Sequence, residues 1–351
     1  MKILPRLCRA SFLAVAALVL SLSDALRAAD APAAARKAGE YAHGPDSKPQ
    51  EGVPKGKLLG PLEFRSKVIA NTVRQYWIYV PAQYTDAKPA CLLVFQDGQR
   101  ATNPAPNASL RVPQVLENLI HKKDIPVTIG LFITPGQRGD TYPATIGTGN
   151  ANNRAQEYDA MSDAYARMLI EEMIPELKKT YNITDNPDGR AIGGTSSGAI
   201  CAFTVAWHRP DQFRKVISMI GSYTSIGYRP ATDGQPMLPG GDLYPTLIRK
   251  SPIKPIRIFL QDGSADLDNN HGNWFLANQQ MLAALNFANS AASGRGGRQG
   301  GQPGQAAPAS PPPGARYDVK HEWGDGAHSD QHGGTLLPDI LRWMFRDWPK
   351  E

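Results

Sequence analysis

The residues Gly194-Thr195-Ser196-Ser197-Gly198 set a serine between two glycines in the pattern G-x-S-x-G, with a predicted strand, Arg190 to Gly194, before it and a predicted helix, Ser197 to Trp207, behind it. A serine at the tip of a strand-to-helix turn takes a strained backbone that brings neighbouring segments too close for side chains, hence a glycine two residues away on each side. Ser196 is therefore a candidate nucleophile for acyl transfer. The chain holds 33 glycines, so the pattern is weak by itself and the rest of the site has to be found.

A serine hydroxyl is a poor nucleophile at neutral pH unless a base takes its proton, and the base needs an acidic partner to fix its tautomer. After the apolar run Pro255 to Gln261 comes Asp262-Gly263-Ser264-Ala265-Asp266-Leu267-Asp268. Asp262 abuts the strand end, where it can stabilise the turn, whereas Asp266 sits where a loop can fold back toward a histidine. Asp266 is the preferred acid and Asp262 the next. The run Tyr317 to Trp323 leads into Gly324-Asp325-Gly326-Ala327-His328, which makes His328 the candidate base. His332, four residues on, is the alternative, while His271 and His321 read as a loop and a strand residue.

The same chemistry needs two backbone N–H groups aimed at the developing oxyanion. Ser197, directly after the nucleophile, supplies one. The other is expected from the turn Gln96-Asp97-Gly98-Gln99, with the Gln99 amide favoured and Gly98 as the alternative. Asp97 fits a turn-forming role better than that of a binding carboxylate.

The elements that position these residues alternate along the chain. Strands are predicted at Leu62 to Ala70, Arg74 to Val80, Cys91 to Phe95, Val127 to Thr134, Arg190 to Gly194, Lys215 to Ile220, Ile256 to Gln261 and Tyr317 to Trp323, the first two as an antiparallel hairpin. Helices are predicted at Val112 to His121, Tyr158 to Tyr181, Ser197 to Trp207, Asn273 to Asn286 and Leu336 to Trp343. In the second, Tyr158, Met161, Tyr165, Met168, Leu169, Ile174 and Leu177 recur at helical spacing as core filling, and Pro175 should kink it. Short apolar strands alternating with helices predict a doubly wound, mostly parallel α/β sheet covered on both faces, its site at the carboxyl ends of the strands. The order Ser196, Asp266, His328 is the order of an α/β-hydrolase.

The amino terminus carries Lys2, Arg6 and Arg9 before an apolar run, Phe12 to Leu22, and then small residues. This is the layout of a cleaved signal peptide, residues 1–25, with an uncleaved anchor as the alternative, and the run is too short to span a bilayer comfortably. Residues 26–58 read as a flexible leader and 59–351 as a single domain, interrupted at about 289–314 by a Gly/Pro-rich insertion with almost nothing apolar to bury. The net charge of +6 is mild and unclustered, which speaks against a nucleic-acid partner. Beyond Cys8, only Cys91 and Cys201 occur. One opens a strand and the other lies in the helix behind Ser196, farther apart than the roughly 7 Å a disulfide allows between Cα atoms, so two buried free thiols are expected. No Cys/His set has metal-ligand spacing, and neither metal nor cofactor is implied.

Taken together, Tyr76-Trp77-Ile78-Tyr79-Val80-Pro81, Phe95-Gln96-Asp97-Gly98, Asn153-Arg154-Ala155-Gln156-Glu157-Tyr158, Gly194 to Gly198, Gln261 to Asp268 and Gly324 to His328 resemble the esterase family of α/β-hydrolases. That family contains enterochelin esterases, esterase D and the feruloyl and acetylxylan esterases. The resemblance runs from Leu62 to Trp348 and implies that Ser196 is the nucleophile, Asp266 the acid and His328 the base. Two positions depart from it. Gln96-Asp97-Gly98 replaces a His-Gly turn, and Ala327 stands where a second glycine is frequent.

Arg154, Glu157 and Tyr158 follow a long loop, Gly136 to Asn153, and either an Arg154–Glu157 pair holds that loop or Arg154 and Tyr158 contact substrate. Trp274 is either a sugar platform or core packing. The function expected is an exported serine carboxylesterase acting on an acyl or aryl ester of a sugar or similar polar scaffold, with a small-molecule or glycan ester as its ligand. Siderophore trilactone hydrolysis and acyl transfer to a sugar hydroxyl are alternatives of the same chemistry. A catalytically silent glycan-binding module is the alternative of another class.

Overall fold

Alternation along each strand explains the layering. In the strand Cys91–Gln96, Leu92 and Val94 point into one buried cluster while Cys91, Leu93 and Phe95 point into another, as the two-residue period of a strand buried on both faces requires. The computed structural model describes residues 41–143, 151–293 and 316–349. They lie within one compact unit, Lys37–Glu351.

Among the described residues the main sheet has nine strands, eight of them in one continuous path: β1 (Lys57–Ser66), β2 (Thr72–Val80), β3 (Cys91–Gln96), β4 (Thr128–Ile133), β5 (Arg190–Thr195), β6 (Lys215–Met219), β7 (Arg257–Ala265) and β8 (Asp318–Ala327). Their spatial order is β1-β2-β4-β3-β5-β6-β7-β8, with the two-residue strand Gln137–Arg138 pairing with β2. β2 is antiparallel to β1 and β4, and every pair from β4–β3 to β7–β8 is parallel. This is the mostly parallel α/β-hydrolase sheet expected from the sequence, with β5, the strand that leads into Ser196, near its middle.

The helices are α1 (Gly98–Ala101), α2 (Val112–His121), α3 (Arg154–Tyr158), α4 (Ala164–Arg167), α5 (Ile174–Lys178), α6 (Ser197–His208), α7 (Tyr244–Lys250), α8 (Trp274–Ala292) and α9 (Asp330–Met344). On one face, α4, α5, α6, α7 and α8 bring Tyr165, Leu177, Phe203, Ile248 and Met281 against Ile192, Val216 and Ile258. On the other, α2 and α9 bring Leu116, Leu119, Leu337 and Leu341 against Phe132, Ile217 and Phe259. Helix α6 is buried on nearly every side, which is why its sequence is apolar throughout. Cys91 and Cys201 are free and buried, in opposite layers. Among the described residues no helix is long and apolar enough to cross a membrane.

Several sequence expectations need correction. The single helix from Tyr158 to Tyr181 is three helices, α3, α4 and α5, the last two joined by a π-helical stretch, Met168–Met173. Pro175 has no N–H to continue the ordinary ladder, and the wider turns fall directly before it. Helices α1 and α7 were not foreseen, being only 4 and 7 residues long.

The leader is seated rather than loose from residue 41 on. Asn118 donates to the Asp46 and Lys48 carbonyls at 2.8 Å, Arg342 pairs with Asp46 at 2.6 Å, and the Gly56 N–H donates to Glu117. Polar anchoring of this kind leaves no apolar periodicity to read. Residues 1–40, with the signal-peptide expectation, lie outside the described residues. Of the Gly/Pro-rich insertion, Asn289–Ala292 belongs to α8, and the Asn289 side chain pairs with the backbone of Tyr317 in both directions at 2.8 Å. The remainder, from residue 294, lies outside the described residues.

The turns at the ends of β7 and β8 cross so closely that a Cβ on Gly263 would collide with the Gly326 carbonyl oxygen. Gly263→Ala should destabilise the protein by about 1–3 kcal/mol through overpacking against backbone that has no rotamer to yield; urea unfolding monitored by tryptophan fluorescence would measure it.

Candidate active site

Ser196 sits between β5 and α6 with φ 57° and ψ −124°, a strained conformation for a residue with a Cβ. The glycines make it possible, since a Cβ on Gly194 would lie 2.6 Å from the Gly198 carbonyl carbon. The turn is tied to its neighbours through the Ser196 N–H, which donates to the Met219 carbonyl at 3.0 Å, and the Ser196 carbonyl, which accepts from Ser222 at 3.2 Å.

From this point the side chains line up. Ser196 Oγ is 2.9 Å from His328 Nε2, and His328 Nδ1 is 2.5 Å from Asp266 Oδ1. With Nδ1 facing a carboxylate, the proton of the neutral imidazole belongs on Nδ1, leaving Nε2 to accept from the serine hydroxyl. The Asp266 side chain is fully buried while that of His328 is 21 % exposed, so the line runs from the interior to an open face. Trp274 stands edge-on to the imidazole, ring centroids 5.8 Å apart at 77°.

Asp262 is not bonded to His328. It lies behind Asp266, fully buried, with its carboxyl hydrogen-bonded to that of Asp266. It also accepts from the Gly263 N–H at 2.7 Å and from Asn278 Nδ2 at 2.6 Å. Burial pushes the Asp262 carboxyl up to about 9, helped by the hydrogen bond and charge of Asp266 and opposed by the two N–H donors. Burial also acts upward on Asp266, but its hydrogen bonds to His328 and Asp262 and the charge of His328 outweigh it and hold the carboxyl below its ordinary value. His332, the alternative base, is buried elsewhere, 2.9 Å from Gln261 Nε2 and stacked on Tyr41. His271 lies in a loop and His321 in β8.

Helix starts supply the candidate N–H groups. Ser197 begins α6, and Gly98 and Gln99 begin α1, so their backbone N–H groups have no acceptor inside their own helices. Asp97 is left-handed at φ 53° and makes the turn from β3 into α1, and its own N–H is already given to the Tyr158 hydroxyl at 3.3 Å.

The residues weighed as loop-holding or substrate-contacting are placed by the structure in the framework. Arg154 pairs with Asp97, not Glu157, through both nitrogens at 2.8 and 3.1 Å. Glu157 instead takes Arg74 of β2 in a bidentate, fully buried pair and also accepts from Gly136 and Asn153. Tyr158 is fully buried. Trp274 is buried too, its Nε1 donating to Ser222 Oγ at 3.1 Å, so it is a wall of the site and not an open platform.

Sequence reading missed Ser222, whose Oγ is 3.2 Å from Ser196 Oγ, and Arg100, which joins Thr195 of β5 to Asp330 of α9. It also missed Asp159, which accepts from the Ser197 side chain. A lone serine after β6 and an arginine in a four-residue helix carry no pattern to find them by. Among the described residues no cluster of three or more His, Cys, Asp or Glu side chains is placed to hold a metal.

Sheet order, elbow and the placing of Ser196, Asp266 and His328 after β5, β7 and β8 define an α/β-hydrolase. Residues 66–295 match the family described as "Putative esterase", and the chain belongs to that esterase family. Among curated relatives, YbbA of Bacillus subtilis is 26% identical over 156 residues, 43% of this chain and 57% of that protein. The iron(III) enterobactin esterase of Escherichia coli is 26% identical over 160 residues, 46% of this chain and 35% of the enzyme. The matched stretches thus span little more than half of the first relative and about a third of the second. Among solved structures, the enterobactin esterase of Shigella flexneri superposes with a TM-score of 0.56 at 20% identity, over 85% of this chain and 61% of that one. A ferulic acid esterase from Anaeromyces mucronatus superposes with a TM-score of 0.54 at 17% identity, over 85% and 94%. These structural likenesses are of fold.

Two changes test the framework. Glu157→Ala leaves the Arg74 guanidinium buried without its partner and should destabilise the protein by about 3–5 kcal/mol, read from denaturant unfolding. The folded chain holds a proton on Asp262 that the unfolded chain releases near the ordinary carboxylate pKa. Its contribution is therefore complete below about pH 4 and is lost as pH rises toward 9. Stability of the wild type minus that of Asp262→Asn should fall across this window in thermal melts taken from pH 4 to 9.

Proposed function

We propose that the protein is an exported serine carboxylesterase that cleaves an acyl or aryl ester carried on a sugar or a similarly polar scaffold. The observation that carries this reading is the continuous hydrogen-bonded line Ser196–His328–Asp266, with distances of 2.9 and 2.5 Å, in a chain of the esterase family.

The chemistry follows from the atoms in that line. Ser196 Oγ attacks the ester carbonyl carbon as His328 Nε2 takes its proton, and Asp266, already ionised, stabilises the imidazolium through Nδ1–H. The negative charge that forms on the carbonyl oxygen is met by the N–H groups of Ser197 and Gln99, with Gly98 as the alternative donor. Collapse breaks the bond to the alcohol, which leaves with the proton held on His328. Water, activated by the same histidine, then attacks the acyl-serine ester and releases the acid.

Asp159, bonded to the Ser197 side chain, also lines a cavity of about 440 Å³ shared with Met161, Gly227, Arg229, Leu238 and Pro239. Its mostly apolar wall suits an acyl or aryl group. Export is supported by Lys2, Arg6 and Arg9 ahead of the apolar run Phe12 to Leu22. A second reading, hydrolysis of a siderophore ester, is favoured by relatives named as iron(III) enterobactin esterases.

Hydrolysis of p-nitrophenyl acetate, p-nitrophenyl butyrate and ferulate esters by residues 30–351 tests the reading. Ser196→Ala and His328→Ala should each lower kcat by roughly 10⁴-fold or more, and Asp266→Asn by a smaller factor. A fluorophosphonate probe should label the wild type and leave Ser196→Ala unlabelled; wild-type protein that is folded yet neither labelled nor active would instead mark a silent binding module.

A further inference from the structure

Asp266 uses one oxygen for the chemistry and leaves the other unexplained. Oδ1 accepts from His328 and from the Leu267 N–H, each at 2.5 Å. Oδ2 is buried and meets no N–H donor among the described residues. Against the Asp266 carboxyl lies that of Asp262, itself fully buried and hydrogen-bonded to it. Two carboxylates in contact inside a protein cannot both be ionised without severe repulsion and desolvation, and a single shared proton removes both penalties while turning one acid into a donor.

The surroundings decide which acid carries the proton. Asp266 faces the imidazole, where its negative charge is answered. Asp262 meets only neutral donors, the Gly263 N–H and Asn278 Nδ2. Asn278 is held the same way round by the Gly221 and Trp274 carbonyls, at 2.9 and 3.0 Å, which can only accept. Its nitrogen therefore faces Asp262 and cannot take that proton. Of the other elements at this point, β8 brings Trp323 into register with Asp262 and β6 brings Met219 beside Gln261, neither of them ionisable. The titratable group in contact with Asp262 is Asp266, with His328 beyond it.

We infer that Asp262 is a positioning residue of the esterase site: as a neutral carboxylic acid it donates its proton in a hydrogen bond to Asp266 Oδ2 and keeps it there throughout turnover. The inference rests on the Ser196–His328–Asp266 reading above. Asp262 touches neither serine nor substrate. It anchors the rear oxygen of Asp266, so that Oδ1 stays aimed at His328 Nδ1, and it adds no second charge. The proton that moves in the reaction is still the one exchanged between Ser196, His328 and the leaving alcohol.

The test is the pH dependence of kcat in the full chain on p-nitrophenyl butyrate, with the Ser196→Ala rate subtracted. Wild-type kcat should decline on the alkaline side as Asp262 ionises near pH 9 and its hydrogen bond is lost. Asp262→Asn keeps an N–H donor and has no charge to gain, so it should hold its plateau to pH 10. Asp262→Ala, which lacks the donor, should lose about tenfold in kcat with little change in KM.

An alkaline decline that persists unchanged in Asp262→Asn overturns the inference, as does equal impairment of the Asn and Ala variants. If Asp262→Ala does not fold, the Asn profile decides alone. Activity retained in Ser196→Ala would overturn the nucleophile assignment itself. Activity abolished in Ser196→Ala, together with wild-type profiles in both Asp262 variants, would overturn only the role of Asp262.

Discussion

Ser196 is held at φ 57° and ψ −124°, a conformation that costs about 1–3 kcal/mol for a residue with a side chain. Surrounding structure has to over-determine it. The sheet does so by placing β5 between β3 and β6, with both faces buried, so the strand cannot relax sideways or twist out. Hydrogen bonds from the Ser196 backbone to Met219 and Ser222 then tie the strained turn to the end of β6. Once the turn is fixed at the carboxyl edge of a parallel sheet, the turns after β3, β6, β7 and β8 open toward the same side. They deliver α1, Ser222, Asp266 and His328 to one place.

Buried charge does the finer alignment. Arg74 with Glu157 and Arg154 with Asp97 join β2, the turn after β3, and α3, while Arg100 joins β5 to the helix that follows His328. The first two pairs add little net stability over apolar packing, but breaking either strands a charge in the interior, so alternative geometries are strongly disfavoured; Arg100, more exposed, adds a surface tie. The Asp262–Asp266 pair works by the same logic with a proton in place of a cation. Beside Ser196, Asp266 is wholly buried while His328 keeps a partly exposed face toward solvent.

What was legible in the sequence follows from this division. The central strands, buried on both faces, are short apolar runs, and all eight strands were visible, β1 and β8 among them although largely open, as were α2, α6 and the beginnings of α8. Ser196, Asp266 and His328 could be found because each follows a strand whose apolar run announces it. The framework residues could not. Arg74 and Glu157 are 83 positions apart, and nothing local tells a buried arginine from an exposed one. The same blindness made Arg154, Glu157 and Tyr158 look like candidates for substrate contact when the fold needs them inside. Chain seated by polar anchoring, as at Asp46, reads as loose for the same reason.

Relatives that share the fold at identities of 17 to 20% carry names pointing to different esters. The structure offers a physical reason for that breadth. Ser196, Asp266 and His328, the groups proposed to react, stand on turns locked to the sheet, where a shift of one residue would flip a strand and destroy the core. The cavity lined by Asp159 is bounded instead by parts of 155–162 and by Gly227, Arg229, Leu238 and Pro239, the last stretch joined to itself through Arg229 and Leu238 and carrying the exposed Met237 and Leu238. Of the two stretches, 155–162 carries the buried Glu157 and Tyr158 and is bound to the core, whereas Tyr228, Met237 and Leu238 of the second are exposed, so changing them repacks no core. The proposed chemistry and the exposed segment 227–239 thus lie under different constraints, and loops of the second kind are where proteins sharing one fold diverge.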